Sequence, residues 1–372
     1  MKILHIGKYY PPFVGGVESI THFVIDSLRD AKHTVVSFNR SAETVTESSG
    51  DIVIIRAGVS GTFASQPVSF RYFNEIRRVI RTVKPDIVHF HYPNPLGALY
   101  ILLLRKKFKL VVHWHSDIIA QRFLSKFVRP IERRILDQAD AIIVTSPGYK
   151  EFAFHSQLYR IKLTMIPCSI NERSFELVDS DKAKVNVIRQ RYGGKKIVLF
   201  LGRHVRYKGL RYLLEAEKLV KEDCVFLIGG DGPQTESLKR EFVSERIHWL
   251  GQLSDHDRKL YYSASDIYAF PSITRNEAFG VALLEAMYCG CPPVTFTIPR
   301  SGVNWVSINN HTGLEVENRN VVEYAYTLDR LLKDDELRAR LADNARQRVR
   351  QFFIKDVVSR QYQDLYKRLS DE

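Results

Sequence analysis

The stretch KIVLFLGRHVRYKG, residues 196–209, joins a short apolar, β-branched segment to a Gly-Arg loop that leads into a helix-forming region. Similar strand-like segments follow, separated by stretches of helical length: CVFLIGGDG (224–232), RIHWLG (246–251), DIYAFPS (266–272) and PPVTF (292–296). Strands that alternate with helices are typical of parallel βαβ units, because a parallel pair needs a long crossover connection. This half of the chain therefore predicts a doubly wound α/β domain.

The first half of the chain shows the same alternation. Its strand-like runs are KILHIG (2–7), HTVVSF (33–38), DIVIIRA (51–57), DIVHFH (86–91), KLVVHWH (109–115) and AIIVTS (141–146). A polar stretch, residues 171–196, separates the two halves. We therefore predict an α/β protein with two Rossmann-like domains that face a cleft, residues 1–170 and 171–355. A final helix over 356–372 is expected to pack on either domain, with the first as the preferred one.

Composition excludes several classes of protein. The 372 residues are 45% hydrophobic and 26% charged, which rules out disordered and collagen-like chains. The four cysteines form no CxxC pair, so we expect reduced thiols and a cytoplasmic location. The N-terminal MKILHIGKYYPP predicts a strand rather than a signal peptide. The longest apolar run, Leu96–Leu104, is about half of a membrane span, so we expect no spanning segment.

The net charge of +13 is concentrated in the first 170 residues, which contain 23 basic and 13 acidic side chains. A basic half predicts an anionic partner: nucleic acid, a membrane surface or a phosphorylated substrate. Nucleic acid is disfavoured because the sequence has no helix-turn-helix, zinc-finger or basic–aromatic strand pattern.

A basic amphipathic segment, residues 119–135, has an apolar residue at every fourth position: Ile119, Phe123, Phe127, Ile131 and Ile135. For a single helix, such a stripe more often packs on its own sheet than on a membrane. Further basic groups cluster at Arg77-Arg78, Arg81 and Arg105-Lys106-Lys107. We expect the N-terminal domain to bind an anionic membrane surface peripherally, on the inner face of the inner membrane.

Ligands of parallel sheets bind beyond the carboxyl ends of the strands, so the loops there are candidate sites. Gly15 and Gly16 precede a helix, where they either let an anion approach free N–H groups or form a tight loop. Arg203 and Lys208 suit a diphosphate, although solvated loops often carry such residues. Gly230, in GGDGP, lets a ligand lie on bare backbone or forms an ordinary turn. The GxGxxG dinucleotide fingerprint is absent.

The segment FPSITRNEAFGVALLEAM, residues 270–287, places Glu277 just before a helix and Glu285 eight residues later within it. At 1.5 Å per residue, the two carboxylates are roughly 12 Å apart along the helix axis. That spacing matches the span from the ribose to the sugar ring of a nucleotide sugar. Two glutamates at this spacing also occur by chance in many helices.

Two histidine pairs, His89/His91 and His113/His115, alternate on strands, so the members of each pair share a face. A metal site would need a further ligand, and no cysteine or aspartate follows at zinc spacing. We therefore interpret most of these residues as core histidines and expect no metal. His115, at the end of its strand, is expected to reach the cleft.

Together these motifs resemble the glycosyltransferases of family 4, a large retaining class with the GT-B fold, over essentially the whole chain. The resemblance rests on the Gly-Gly loop at 15–16, His-Ser-Asp at 115–117, Gly-Arg with Lys at 202–208, GGDGP at 229–233 and E-x7-E at 277–285. HSDI at 115–118 and SGVNWV…TGLEV at 301–316 are similar to bacterial mannosyl- and rhamnosyltransferases of O-antigen assembly. Ala278 and Tyr288 depart from the pattern and leave the donor sugar open.

The resemblance implies that a hexose is transferred with retention from a nucleotide sugar to a lipid-diphosphate-linked saccharide, without a metal or dissociable cofactor. GDP-mannose is the first candidate donor and a UDP-sugar the alternative, and other polysaccharide-assembly enzymes are expected partners. Glu277 would hold the hexose, Glu285 the ribose, and His115 would lie near the sugar. We assign the leaving diphosphate to Arg203 and Lys208. Further donor-side residues are Gly15, Gly16, Gly230, Leu253, Ala278, Phe279 and Gly280, and acceptor-side residues are Tyr9, Tyr10, Ser116 and Asp117.

Three other classes of protein are rivals to a transferase. A nucleotide-dependent oxidoreductase would bind NAD(P)H, and the missing fingerprint counts against it. A non-hydrolysing sugar-nucleotide epimerase would turn over without an acceptor. A catalytically silent binding module, or a DNA-binding protein, would account for the charge alone.

Overall fold

The computed structural model describes residues 1–13, 15–63, 66–104, 106–116, 122–148 and 159–371, with all their side chains except those of residues 63 and 122–127. The chain divides into two compact units, Met1–Pro167 with Val358–Glu372, and Cys168–Val357. The predicted boundaries, after residues 170 and 355, lie within three residues of these divisions. The expected class, α/β with two Rossmann-like domains, is confirmed.

The first unit is built on an eight-stranded sheet. In chain order its strands are β1 Lys2–Ile6, β2 Lys32–Phe38, β3 Val45–Ser49, β4 Ile52–Ala57, β7 Ile87–Tyr92, β8 Lys109–Trp114, β9 Ala141–Val144 and β10 Leu163–Met165, with a separate hairpin of β5 Gly61–Phe63 and β6 Gln66–Val68. Across the sheet the order is β10-β9-β8-β7-β1-β2-β4-β3, and all pairs are parallel except β3 with β4. The strand order reverses beside β1, so the loop after β1 lies at a switch point.

Helices cover the sheet of the first unit. They are α1 Gly16–Ser27, α2 Phe70–Thr82, α3 Pro95–Leu102 and α4 Arg122–Gln138. The last helix, Lys355–Asp371, buries Val358, Tyr362 and Tyr366 in the same apolar cluster as Ile3 and Val111. The C-terminal segment therefore belongs to the core of the first unit.

The second unit has a wholly parallel six-stranded sheet. Its strands are β11 Lys196–Leu201, β12 Cys224–Gly229, β13 Ile247–Gly251, β14 Ile267–Phe270, β15 Pro293–Phe296 and β16 Leu314–Val316, and their order is β13-β12-β11-β14-β15-β16. The direction of progression reverses between β11 and β14. Because β11 and β14 are adjacent and parallel, their following loops meet at one edge of the sheet.

The helices of the second unit pack on both faces of this sheet. In chain order they are α5 Asp179–Arg191, α6 Leu210–Glu217, α7 Thr235–Glu241, α8 Asp255–Ala264, α9 Val281–Tyr288, α10 Val303–Val306, α11 Val321–Lys333 and α12 Asp335–Phe352; the Lys355–Asp371 helix is α13. Short 3-10 turns occupy Glu172–Phe175 and Arg206–Lys208. Among the described helices of the whole chain we find no apolar segment of the length that a bilayer crossing requires.

The segment over 119–135 falls partly outside the described residues. Of its apolar stripe, Ile135 is fully buried and Ile131 is half-buried, while Ile119 and the side chains of Phe123 and Phe127 are not described. Where the stripe is described, it therefore packs inward.

Candidate functional site

The loops after β11 and β14 pack closely against each other at Gly209. Gly209 has φ +68°, and a Cβ there would lie 1.9 Å from the Pro271 carbonyl oxygen, so a side chain would push the loops apart. Ile273 N donates to Tyr207 O at 2.9 Å across the same contact. This close approach carries Lys208, in the loop after β11, to Glu277, in the loop after β14.

Lys208 and Glu277 form the central ion pair of the site. Lys208 Nζ donates to Glu277 Oε2, which also accepts from Ser272 Oγ at 3.0 Å. Their side chains are only 16% and 10% exposed. Burial lowers the pKa of Lys208, but the Glu277 carboxylate and the Tyr207 phenol outweigh it, so that its pKa is raised and the ammonium stays charged. A buried ion pair adds little net stability, so one at a ligand edge is a candidate functional site.

Glu285 lies buried on α9, one turn beyond Gly280. Tyr262 OH donates to Glu285 Oε2 at 3.1 Å, and Arg258 Nη2 lies 3.6 Å from Glu285 Oε1. Burial raises the pKa of Glu285, although Arg258 and the Tyr262 hydrogen bond act in the opposite direction. Sequence analysis missed Arg258 and Tyr262, because nothing in their spacing on α8 shows which side chain of another helix they meet.

Bare backbone forms the floor between the loops after β11 and β12. Gly230 has φ +111°, and a Cβ there would lie 2.0 Å from Gly202 O. His204 N donates to Asp231 O at 3.0 Å, which joins the same two loops. Arg203 is exposed beside them. The arrangement holds the two loops in close backbone contact beside one cation that is accessible to solvent.

Two further donor-side residues, Leu253 and Ala278, lie around this floor. Leu253 is half-buried, and its Cδ1 is 3.5 Å from the position of a Cβ on Gly229. Ala278 O accepts from Gly302 N at 2.8 Å, and Ser301 Oγ donates to the Glu277 carbonyl. These bonds hold the loop before α9 in place.

Phe279 differs from the expected donor contact. Its side chain is 3% exposed and packs edge-on against Trp305 and Phe353, with ring centroids 6.0 and 5.8 Å away. Its side chain therefore belongs to the core, and only its backbone borders the loop. Gly280, with φ +91°, begins α9 directly behind it, with a Phe270 ring carbon 3.2 Å from the position of a Cβ.

In the first unit, the carboxylate of Glu18 packs against the glycine loop that precedes α1. A Cβ on Gly15 would lie 2.2 Å from Glu18 Oε2, and Glu18 accepts a hydrogen bond from its own backbone N–H. Burial raises the pKa of Glu18, while this bond and Lys8 lower it. The N–H groups near Gly16 at the start of α1 are thus partly satisfied within the chain.

His115 and the acceptor-side residues lie in different environments. His115 is 4% exposed, and burial lowers its pKa to about 3, so the ring is neutral. Ser116 and Tyr9 are half-buried. Tyr10 is 3% exposed and packs in an apolar cluster with Ile25 and Val35, which places it in the core; its hydroxyl lies 3.2 Å from His22 Nδ1. Asp117 lies outside the described residues.

His115 ends a row of buried histidines that crosses four adjacent strands. The row consists of His33 on β2, His5 on β1, His89 and His91 on β7, and His113 and His115 around β8. Ring nitrogens lie 3.1 Å apart in His5–His33, 3.2 Å in His89–His113 and 3.0 Å in His91–His115. Within the described residues, His5/His89/His91 and His91/His113/His115 each bring three ring nitrogens within 4.8 Å of one another.

The hydrogen bonds of His33 and His5 show which ring nitrogen carries the proton in each. His33 Nε2 donates to Leu28 O at 2.9 Å, so His33 Nδ1 is bare and accepts from His5 Nε2. His5 Nδ1 is then bare as well, and it has no partner in the described part of the chain. Burial, with help from neighbouring rings, lowers the pKa of His5 and His89. The rings are therefore neutral, and hydrogen bonds join them in three pairs.

Two family models match the chain, one for each half. Residues 14–173 match the model for Glycosyltransferase Family 4, and residues 181–348 match the model for Glycosyl transferases group 1. O-antigen chain mannosyltransferase C of Escherichia coli is 27% identical over 99% of both chains. D-rhamnosyltransferase WbpZ of Pseudomonas aeruginosa is 29% identical over 95% of this chain and 92% of its own.

Solved structures show the same fold. Sucrose-phosphate synthase of Thermosynechococcus elongatus superposes with a TM-score of 0.83 at 22% identity, covering 100% of this chain and 99% of its own. WaaG, a glycosyltransferase involved in lipopolysaccharide biosynthesis, gives 0.72 at 15% identity over 97% and 98% of the two chains.

Proposed function

The chain belongs to the family 4 glycosyltransferases, with the GT-B fold, and we propose that it transfers mannose from GDP-mannose to a lipid-linked saccharide acceptor with retention of configuration. The product would belong to a bacterial surface polysaccharide of the O-antigen type. The names of the mannosyl- and rhamnosyltransferase relatives support the sugar and the pathway. A relative of Campylobacter jejuni, named for transfer to a diphospho-undecaprenol-linked sugar, supports the acceptor class.

The observation that carries the proposal is the buried Lys208–Glu277 pair at the switch point of the second sheet. Breaking a glycosyl–phosphate bond leaves a nucleoside diphosphate with extra negative charge. A cation held in place beforehand stabilises that charge without reorganising during the reaction. Lys208 is such a cation, because Glu277 and Ser272 fix the geometry around its ammonium group. Arg203, exposed beside the Gly230 floor, supplies the second positive charge.

In this proposal, each of the two carboxylates binds a different sugar of the donor. Glu277 accepts hydrogen bonds from hexose hydroxyls, and Glu285 accepts them from the ribose after exchanging its Tyr262 partner. His115, being neutral, contacts the sugar by a hydrogen bond rather than by a charge. We propose that no metal or dissociable cofactor takes part, since Lys208 and Arg203 supply the positive charge at the diphosphate.

Thermal stabilisation by a panel of GDP- and UDP-sugars tests the donor. A ligand at about 100 times its Kd raises the free energy of unfolding by about 2.7 kcal/mol, which is a measurable shift in Tm. We expect GDP-mannose to give the largest shift, and Glu285→Gln to reduce it. Stabilisation by NAD(P)H alone would favour the oxidoreductase instead. A larger shift with a UDP-sugar would replace GDP-mannose as the proposed donor; the complex of Anabaena HepE with UDP-glucose shows a protein of this fold with such a donor.

We also propose that the protein works as a peripheral protein on the inner face of the inner membrane, where a lipid-linked acceptor would lie. The support is the excess of basic side chains in the first 170 residues. Each cation near an anionic surface contributes about 1 kcal/mol, an attraction that salt weakens. Binding to anionic vesicles that is lost at high salt is the expected behaviour.

A further inference from the structure

A groove of about 720 Å³ opens in the first unit, at the edge of the sheet opposite the ligand edge. Its wall includes Lys84-Pro85, directly before β7, and Lys107-Phe108, directly before β8. His115, by contrast, follows the carboxyl end of β8. Since ligands of parallel sheets bind at the carboxyl ends of the strands, this groove is separate from the proposed transfer site.

The groove has an apolar floor and a basic rim. The floor is lined by Phe73, Ile80, Pro85, Leu103, Leu104 and Phe108. Leu103 is 65% exposed, which is unusual for a side chain that packs on a protein core. The rim consists of Arg77, Arg81, Lys84 and Lys107, all exposed to solvent.

The charge of the rim is not neutralised by the part of the chain that is described. None of its four cations forms an ion pair with a described residue, and no carboxylate is among the lining side chains. The neighbouring Arg78 is paired with Glu75 and Lys106 with Asp140, and Asp86, which adjoins the rim, accepts a hydrogen bond from Lys2 N, so these acids have other partners. Arg77 and Arg81 stand four residues apart on α2, a like-charge spacing that costs helix stability. An anionic ligand would relieve that repulsion.

We propose that this groove binds one anionic phospholipid, with the phosphate between the rim cations and the start of an acyl chain on the apolar floor. A volume of this size accommodates a small ligand. A free sugar phosphate would leave the floor exposed to water, and a neutral lipid would leave the four cations unpaired. The proposal rests on the peripheral membrane location proposed above. Of the basic segments named in the sequence analysis, it assigns the contact to those at Arg77, Arg81 and Lys107 rather than to α4.

Binding of short-chain lipids to the full-length protein tests the chemistry of the groove. Dihexanoyl phosphatidylglycerol, below its micelle concentration, is expected to bind and to shift the NMR signals of residues 77–84. Dihexanoyl phosphatidylcholine and inorganic phosphate are expected to bind at least tenfold more weakly. Leu103→Gln, at an exposed position, should weaken the anionic lipid and leave phosphate unchanged. Equal binding of phosphate alone, or of both lipids, would overturn the proposal.

A matched pair of charge variants tests the location. Arg77→Gln/Arg81→Gln removes two cations, each worth about a fivefold change in partition, so binding to phosphatidylglycerol vesicles should fall about 30-fold. Arg133→Gln/Arg134→Gln removes the same charge from the exposed face of α4 and should reduce binding far less. An equal loss in both variants would show a diffuse electrostatic attraction and reject the groove. Displacement of the lipid by a polyprenyl phosphate at much lower concentration would assign the groove to the acceptor instead.

These measurements need neither donor nor acceptor, so they fail independently of the proposed transfer. A protein that binds the anionic lipid in the groove but transfers no sugar would keep this inference and lose the proposed function. Conversely, the protein could transfer mannose while Arg77→Gln/Arg81→Gln binds vesicles as well as the unchanged chain does. That result would keep the proposed function and reject the groove.

Discussion

Lowering the pH from 7.5 to 5.5 should destabilise the first unit through its row of buried histidines. Burial, as the largest cause, holds the pKa of His5, His89, His91 and His113 well below the ordinary value and that of His115 at about 3. In the unfolded chain these rings have pKa values of about 6.5. Below pH 6.5 the unfolded state therefore binds more protons than the native state, and the free energy of unfolding falls as the pH falls.

The magnitude follows from the number of rings. At pH 5.5 each unfolded histidine is about nine-tenths protonated while its native counterpart stays neutral, which removes roughly 1 kcal/mol per ring. Five rings together remove on the order of 5–7 kcal/mol. The total stability of a domain is about 5–15 kcal/mol, so this loss is enough to unfold a marginal one. The stabilisation is fully present above pH 6.5 and is lost as the pH falls from there towards the native pKa values.

Urea titrations at pH 7.5, 6.5 and 5.5 measure the effect, and hydrogen exchange of peptides from β7 and β8 assigns the transition to the first unit. His5→Gln keeps a donor for His33 Nδ1 but no longer titrates, so the pH slope should fall by about one proton. The matched control is the replacement of the exposed His22 by glutamine, because this histidine lies outside the buried row. Stability that stays constant between pH 7.5 and 5.5 would refute the neutral buried network.

Four further predictions concern the transfer site. Glu277→Gln should abolish most transfer while the protein stays folded by circular dichroism, because the amide keeps the shape but loses the charge; near-normal turnover would contradict its role. Arg203→Ala and Lys208→Ala should each lower kcat by roughly 10²-fold or more, and a rise in donor KM alone would make the residue a ground-state binder. Lys208→Ala should also lower the Tm, since it leaves Glu277 buried without its cation, whereas Arg203→Ala at an exposed position should not. Dialysis against EDTA should leave transfer unchanged, and activity restored only by added divalent ions would reject transfer without a metal.

The order of strands and helices could be derived from the sequence because the signals are local. Runs such as KIVLFLG and KLVVHWH have the apolar, β-branched character that a buried parallel strand requires, and helical stretches separate them. Since the carboxyl ends of parallel strands lie at one edge of the sheet, the loops with Lys208 and Glu277 were each expected to be candidate sites. That β11 and β14 are neighbours, so that the two side chains form an ion pair, is seen only in the tertiary structure.

Features that depend on contacts between segments far apart in the sequence could not be derived in this way. The sheet order of the first unit aligns His5 with His89 and His91 with His113, which turns isolated histidines into one buried row. The same sequence pattern would fit other strand orders, because a strand does not specify its neighbours. Arg258 and Tyr262, which contact Glu285, could not be predicted for the same reason.

The sequence alone thus determined the α/β class, the division into two domains and the loops that carry the site, because these follow from short-range periodicity and from the common direction of parallel strands. Only the tertiary structure decided that Phe279 points into the core, that Glu18 fills the glycine loop, and that the basic residues of α2 border a groove. Those features depend on which surfaces meet when separate segments pack, and packing is set by the whole chain rather than by any one segment.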